Sequence, residues 1–141
     1  KMHKGSHMFQ IWLDPDLSKT IHKPASYDDY LPDSFSENEN EGRKVKVYAG
    51  EGGPMKLDTP GVEIVEIGFD NGDHKIVLDL EKIHSIYLLS GTVSIEGEAL
   101  EKGDFVILSD KAEIQLSTED EATIFKISSP VDVNYATYGQ I

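Results

Sequence analysis

The sequence predicts an all-β domain, a single barrel or sandwich with one irregular acidic loop near its N-terminus. Three observations carry this expectation. From Lys44 onward, apolar and polar residues alternate in short runs broken by Gly, Asn-Gly and Gly-Asp; a period of two puts one face of each strand in a core. No segment shows the three-turn apolar stripe of an amphipathic helix. At 141 residues, 38% of them hydrophobic, the chain is long enough to bury the core of one domain.

The elements follow in order. Residues 1–8 contain Gly5-Ser6-His7-Met8 and read as a tag scar or a linker. Phe9-Gln10-Ile11-Trp12-Leu13 alternates and is β-prone, so a strand is expected there, with Trp12 anchored on its face and Asp14-Pro15-Asp16 as its stop. Within 28–42, Asp28, Asp29, Asp33, Glu37, Glu39 and Glu41 place six carboxylates in fourteen residues with no base between them. Such a run reads as a solvated, mobile loop, and its spacing lacks the alternating ligands and central Gly of a calcium loop. Strands are expected near 44–49, 62–69, 74–80, 84–90, 92–96, 104–109, 112–118 and 122–128. Asn71-Gly72 and Gly97 supply the positive φ of tight hairpins. The barrel spans 9–130, and Val131–Ile141, bearing Tyr135 and Tyr138, forms an arm that packs back.

Composition excludes several functions. A net charge of −13 argues against nucleic acid and against anionic membrane surfaces, both of which need clustered Lys and Arg. The absence of cysteine removes disulfides, thiol catalysis and sulfur-bound zinc. No apolar run approaches the ~20 residues of a membrane helix, and no signal-peptide core is visible, so the cytoplasm is the expected compartment.

Alternation also assigns faces. Ile76, Leu78 and Leu80 are expected to point inward, with Val77 and Asp79 outward. His84, Ile86 and Leu88 share an inward face, as do Ile114 and Leu116. His84 is therefore the candidate of interest, with Leu78, Leu80 and Ile114 around it. It reads either as a core histidine satisfied by a backbone carbonyl or as a neutral donor and acceptor for a ligand. His74 is expected to cap a hairpin at the rim, and His22 lies in a loop without a partner. Asp79 and Glu81 read as solvated surface rather than an acid–base pair. Gly50-Glu51-Gly52-Gly53-Pro54 ends in Pro, precedes no helix and is a turn.

Residues 68–108 combine a glycine-led turn, His84, the Tyr87-Leu88-Leu89-Ser90-Gly91 segment and the Gly103-Asp104 turn. This arrangement resembles the cupin pattern, and the resemblance implies a jelly-roll barrel. In that frame His84 stands where cupins place Glu, Leu78 and Leu80 where they place paired histidines, and Ile114 where they place the last histidine. A divalent metal needs three or four converging N/O ligands, which one imidazole among aliphatic side chains does not supply. No metal and no other cofactor is expected.

More narrowly, the chain resembles the C-terminal half of pirin-family proteins. Phe9-Gln10-Ile11-Trp12-Leu13 with Pro15, then Val47-Tyr48-Ala49-Gly50-Glu51-Gly52-Gly53-Pro54, and then residues 84–127 carry the likeness over about residues 7–130. In that family the metal and the quercetin-dioxygenase-like activity belong to the N-terminal barrel. The resemblance therefore implies a metal-free, non-catalytic domain with a structural or associative role. Its expected partner is a metal-bearing N-terminal cupin half or a second copy of itself. The alternatives are a quercetin-dioxygenase-like oxidoreductase and a small-molecule binding module using the barrel interior.

Overall fold

The alternation resolves into two antiparallel sheets packed face to face in a computed structural model that describes residues 3–140. Among the described residues the strands are β1 (Glu37–Asn40), β2 (Arg43–Ala49), β3 (Glu63–Phe69), β4 (Gly72–Val77), β5 (Lys82–Ser90), β6 (Val93–Ile95), β7 (Glu98–Leu100), β8 (Phe105–Leu108), β9 (Glu113–Thr118) and β10 (Ala122–Pro130). The larger sheet has the order β1-β2-β3-β10-β5-β8 and the smaller β4-β9-β6-β7. Ile67, Phe69, Ile86, Leu88 and Ile124 of the larger sheet pack against Ile76, Val93, Ile95, Ile114 and Leu116 of the smaller. Each of these sits on the inward phase of its strand, which is why alternating residues were enough to build a core.

Four expectations change. The acidic segment is not a loop throughout, because Glu37–Asn40 pairs with β2 in the register Glu37↔Lys46 to Asn40↔Arg43. The turn between them is Glu41-Gly42, with φ of 50° and 71°, the two positive values that a two-residue hairpin loop requires. The carboxylates find their bases across the ladder, Glu37 on Lys46 at 3.0 Å and Glu39 on Lys44 at 4.0 Å. Opposite charges on facing strands relieve the repulsion that made the run look unstructured.

Residues 9–13 form no strand. They lie against the outer face of the larger sheet, where Phe9 stacks on Phe125 at 5.3 Å and meets Tyr87 edge-on at 5.0 Å. A segment on a sheet face has no strand edge to pair with, so its alternation serves docking alone. Trp12 is 85% exposed and anchors nothing. Third, Asn71-Gly72 does not close a hairpin, since β3 and β4 belong to different sheets and the turn carries the chain between them. Gly97, with Glu96, does close the β6–β7 hairpin.

The fourth change is at Leu80. β4 ends at Val77, and the alternation does not continue past Leu78. Leu80 is 55% exposed in the turn before β5.

The only α-helix among the described residues is the single turn α1 (Leu17–Thr20), capped by the Asp16 carboxylate. Among the described residues no helix is long and apolar enough to cross a membrane. Lys1 and Met2 of the leading segment and Ile141 of the arm lie outside the described residues. The arm is tied to the body by Val131 N–H on the Glu81 carbonyl at 2.9 Å and by Tyr138 N–H on the Asp14 carboxylate at 2.7 Å.

Candidate functional site

Strand register sets two rows of side chains side by side on the inner face of the larger sheet. One row runs Val47, Val65, Lys126, Ile86, Val106 across β2, β3, β10, β5 and β8. The next runs Glu63, Ser128, His84, Leu108, with Lys82 beyond it opposite Pro130. Directly paired residues share a face, so a polar group of Glu63, Lys82, His84, Lys126 and Ser128 gathers at one end of the barrel. Toward the other end the corresponding row, Val45, Ile67, Ile124 and Leu88, is wholly apolar.

His84 is 3% exposed, and both ring nitrogens are engaged. Nε2 lies 2.9 Å from the Asp79 carbonyl oxygen and Nδ1 lies 2.8 Å from Ser128 Oγ. A carbonyl only accepts, so the ring proton is on Nε2 and Nδ1 is the acceptor for the serine hydroxyl. Lys126 Nζ donates to Ser128 Oγ at 2.7 Å. The donors thus run one way, Lys126 to Ser128 to His84 to the Asp79 carbonyl, and each middle member both accepts and donates. Burial holds the imidazole below its usual pKa; the Asp79 carbonyl opposes that, and the Lys126 and Lys82 charges reinforce it. The result is a neutral histidine.

Lys126 is also held below its ordinary value, by burial first, with Glu63 opposing and Lys82 adding to the shift. Lys82 is itself paired with Glu63, Nζ to Oε2 at 2.7 Å. Ser128 is 0% exposed, so its hydroxyl bridges its neighbours and does not meet a substrate.

The residues singled out in the sequence separate here. Leu78, His84 and Ile114 are buried, and the two aliphatic side chains belong to the closed core. Leu80 instead lines an outer cleft of about 520 Å³ with Asp79, Glu81, Lys82, Asp110 and Val131. His74 is buried on the inward face of β4, its ring 5.0 Å from that of Phe69, and its Nε2 lies 2.8 Å from the Asp70 carbonyl. It therefore holds the β3–β4 crossover from inside the core rather than capping a hairpin at the rim. Lys126, Ser128, Glu63 and Lys82 were missed. The signal was present: Ala122, Ile124, Lys126 and Ser128 share one phase, so a lysine sits where alternation demands a core residue.

A metal centre does not fit these residues. The imidazole has no free nitrogen, Leu78 and Ile114 are aliphatic, and among the described residues no three His, Cys, Asp or Glu side chains are placed to hold an ion.

No protein-family model and no curated protein matches the sequence. Solved structures do match in fold. A quercetin 2,3-dioxygenase from Acinetobacter baumannii superposes with a TM-score of 0.70 at 19% identity, over 86% of this chain and 46% of that one. GK1651 from Geobacillus kaustophilus gives 0.69 at 16% identity, over 86% of this chain and 53% of that one. The cupin_2 domain of an XRE-family transcriptional regulator from Enterobacter cloacae gives 0.53 at 12% identity, over 65% of this chain and 100% of that domain. The fold is therefore that of a single cupin barrel, and the chain spans about half the length of the first two structures.

Proposed function

We propose that this chain is a cupin barrel without a metal centre, of the kind that forms the C-terminal half of pirin-like proteins, and that it acts by associating with a second barrel. The observation that carries this reading is the filling of the family's ligand positions. His84 spends both nitrogens inside the protein, Leu78 and Ile114 are core, and Leu80 has left the barrel. An oxidoreductase of the quercetin-dioxygenase type needs a metal that these residues do not hold.

Two further observations favour association. The edge strand β8 turns Phe105 and Ile107 outward, 57% and 61% exposed, with Phe105 beside Phe9 and Ile11. Contiguous apolar surface on a sheet edge favours pairing with another chain. The same fold also occurs within chains about twice as long, as the coverage of 46% and 53% indicates.

Sedimentation of the chain, alone and as the Phe105→Glu/Ile107→Lys variant, tests the proposal. A concentration-dependent dimer that the double substitution abolishes is expected. A strict monomer, or association indifferent to the substitutions, overturns the associative role. Stoichiometric iron, nickel or copper retained after loading and dialysis, or turnover of a flavonol, overturns the metal-free reading.

A further inference from the structure

Lys126 is an unusual residue for its place. It interrupts a row of four aliphatic side chains, Val47, Val65, Ile86 and Val106, on the inner face of the larger sheet. Its ammonium has three N–H donors. Among the described residues Ser128 Oγ is its hydrogen-bond partner and no carboxylate forms an ion pair with it. The local charges do not cancel. Lys82 and Glu63 neutralise each other at 2.7 Å, and His84 is a neutral acceptor for the serine hydroxyl, which leaves the Lys126 charge unbalanced.

That surplus stands in a chain whose net charge is −13. A half-buried cation without a counter-ion is costly, and such groups are normally paired. Among the described residues Glu63 is the carboxylate whose charge reaches Lys126, and it is already held by Lys82, so water or a ligand must complete the ammonium's partners. Lys126, Val47 and Val65 are each only half-buried, so this part of the row is reached by solvent.

We infer that the inner face around Lys126 is a binding site for a small organic monocarboxylate. Two free N–H donors and one uncompensated positive charge suit one carboxylate group. Val47 and Val65 provide an apolar wall for a short aliphatic or aromatic tail. A phosphate dianion fits less well, since one surplus charge faces two and Glu63 stands nearby. Ser128, tied to His84, fixes the direction of the ammonium and is a positioning residue. The inference does not rest on association with a second barrel.

The test is a titration of the full chain with benzoate, followed through the methyl resonances of Val47 and Val65, with benzamide and inorganic phosphate as parallel arms. Saturable shifts with benzoate, absent with benzamide, are expected. Lys126→Met should weaken apparent benzoate affinity by about tenfold or more, the effect of losing a charged hydrogen-bond partner, while the variant melts no lower than the parent. Lys126→Gln, which keeps a polar group and removes the charge, should weaken it similarly and guards against a folding defect in the methionine variant. The inference is overturned by no saturable shift, by equal shifts with benzamide, by unchanged affinity in both variants, or by saturation with phosphate in place of benzoate.

Discussion

His84 and Ser128 face each other across the β5–β10 pair, and the 2.8 Å bond between Nδ1 and Oγ is sealed from water. The Asp79 carbonyl fixes the tautomer of the histidine, and the Ser128 contact then sets the direction of the serine hydroxyl and the aim of Lys126. With the Asp79 carbonyl on Nε2, that contact leaves the imidazole no free nitrogen.

The pair should behave as a unit. His84→Leu leaves the buried Ser128 hydroxyl without an acceptor and the Asp79 carbonyl without its donor, a loss of about 1–3 kcal/mol. Ser128→Ala strands His84 Nδ1 to a similar degree. Combined, the two should fall short of additivity by about 1 kcal/mol or more. Urea melts of the four proteins in the cycle measure this, and an additive double variant would show that the bond contributes no coupling.

The histidine also makes stability depend on pH in a defined direction. Its folded pKa is below 6.5 because the buried ring resists protonation. In the unfolded chain it takes up a proton near pH 6.5, so the unfolded state binds more protons below that value. The contribution is complete above pH 6.5 and is lost as pH falls through the depressed folded value. Thermal melts of the parent and His84→Leu at pH 8 and pH 5.5 isolate it, and the gap between them should narrow at the lower pH.

Lys126→Met should stabilise the protein. The substitution removes a half-buried unpaired charge and keeps a long side chain in an aliphatic row. At pH 7 a rise in melting temperature of roughly 2–5 °C is expected. The advantage should shrink as pH climbs from the depressed folded pKa toward 10.5, because the parent then sheds its proton in the folded state first. An equal advantage at pH 7 and pH 10 would contradict this.

Tyr48 donates to Glu66 at 2.8 Å, and burial first, then that carboxylate, pushes its pKa up to about 12. A spectrophotometric titration of the folded protein should show a late tyrosine ionisation near pH 12. Tyr48→Phe should delete that late step alone.

Gly91 and Gly97 both sit at positive φ, but they should respond differently to a methyl group. At Gly91 a Cβ would lie 2.5 Å from the Glu121 carbonyl oxygen and 2.9 Å from Ala122 Cα. At Gly97 it would meet nothing within 4 Å. Gly91→Ala should therefore lose on the order of 3 kcal/mol or more, through clash and strain together. Gly97→Ala should lose only about 1–2 kcal/mol, from backbone strain alone. Chemical denaturation of the two variants makes the comparison.

The sequence alone determined the all-β class, the strands from Arg43 to Pro130 within a few residues except for the short β7, and the inward face that carries His84. These depend on period-two alternation and on glycine at sharp turns, which are local properties of a chain. Tertiary structure decided the rest. β1 exists because Lys44 and Lys46 of the next strand neutralise Glu39 and Glu37 across the ladder. Residues 9–13 lie on a sheet face, where Phe9 is held by the rings of Tyr87 and Phe125, although their alternation is that of a strand. Leu80 turns outward because β4 stops at Val77. The polar group is the plainest case. Glu63, Lys82, His84, Lys126 and Ser128 are spread over three strands, and only the register of β3, β10 and β5 makes them neighbours. Alternation states that a lysine faces inward; which partners meet it there depends on how the strands are aligned.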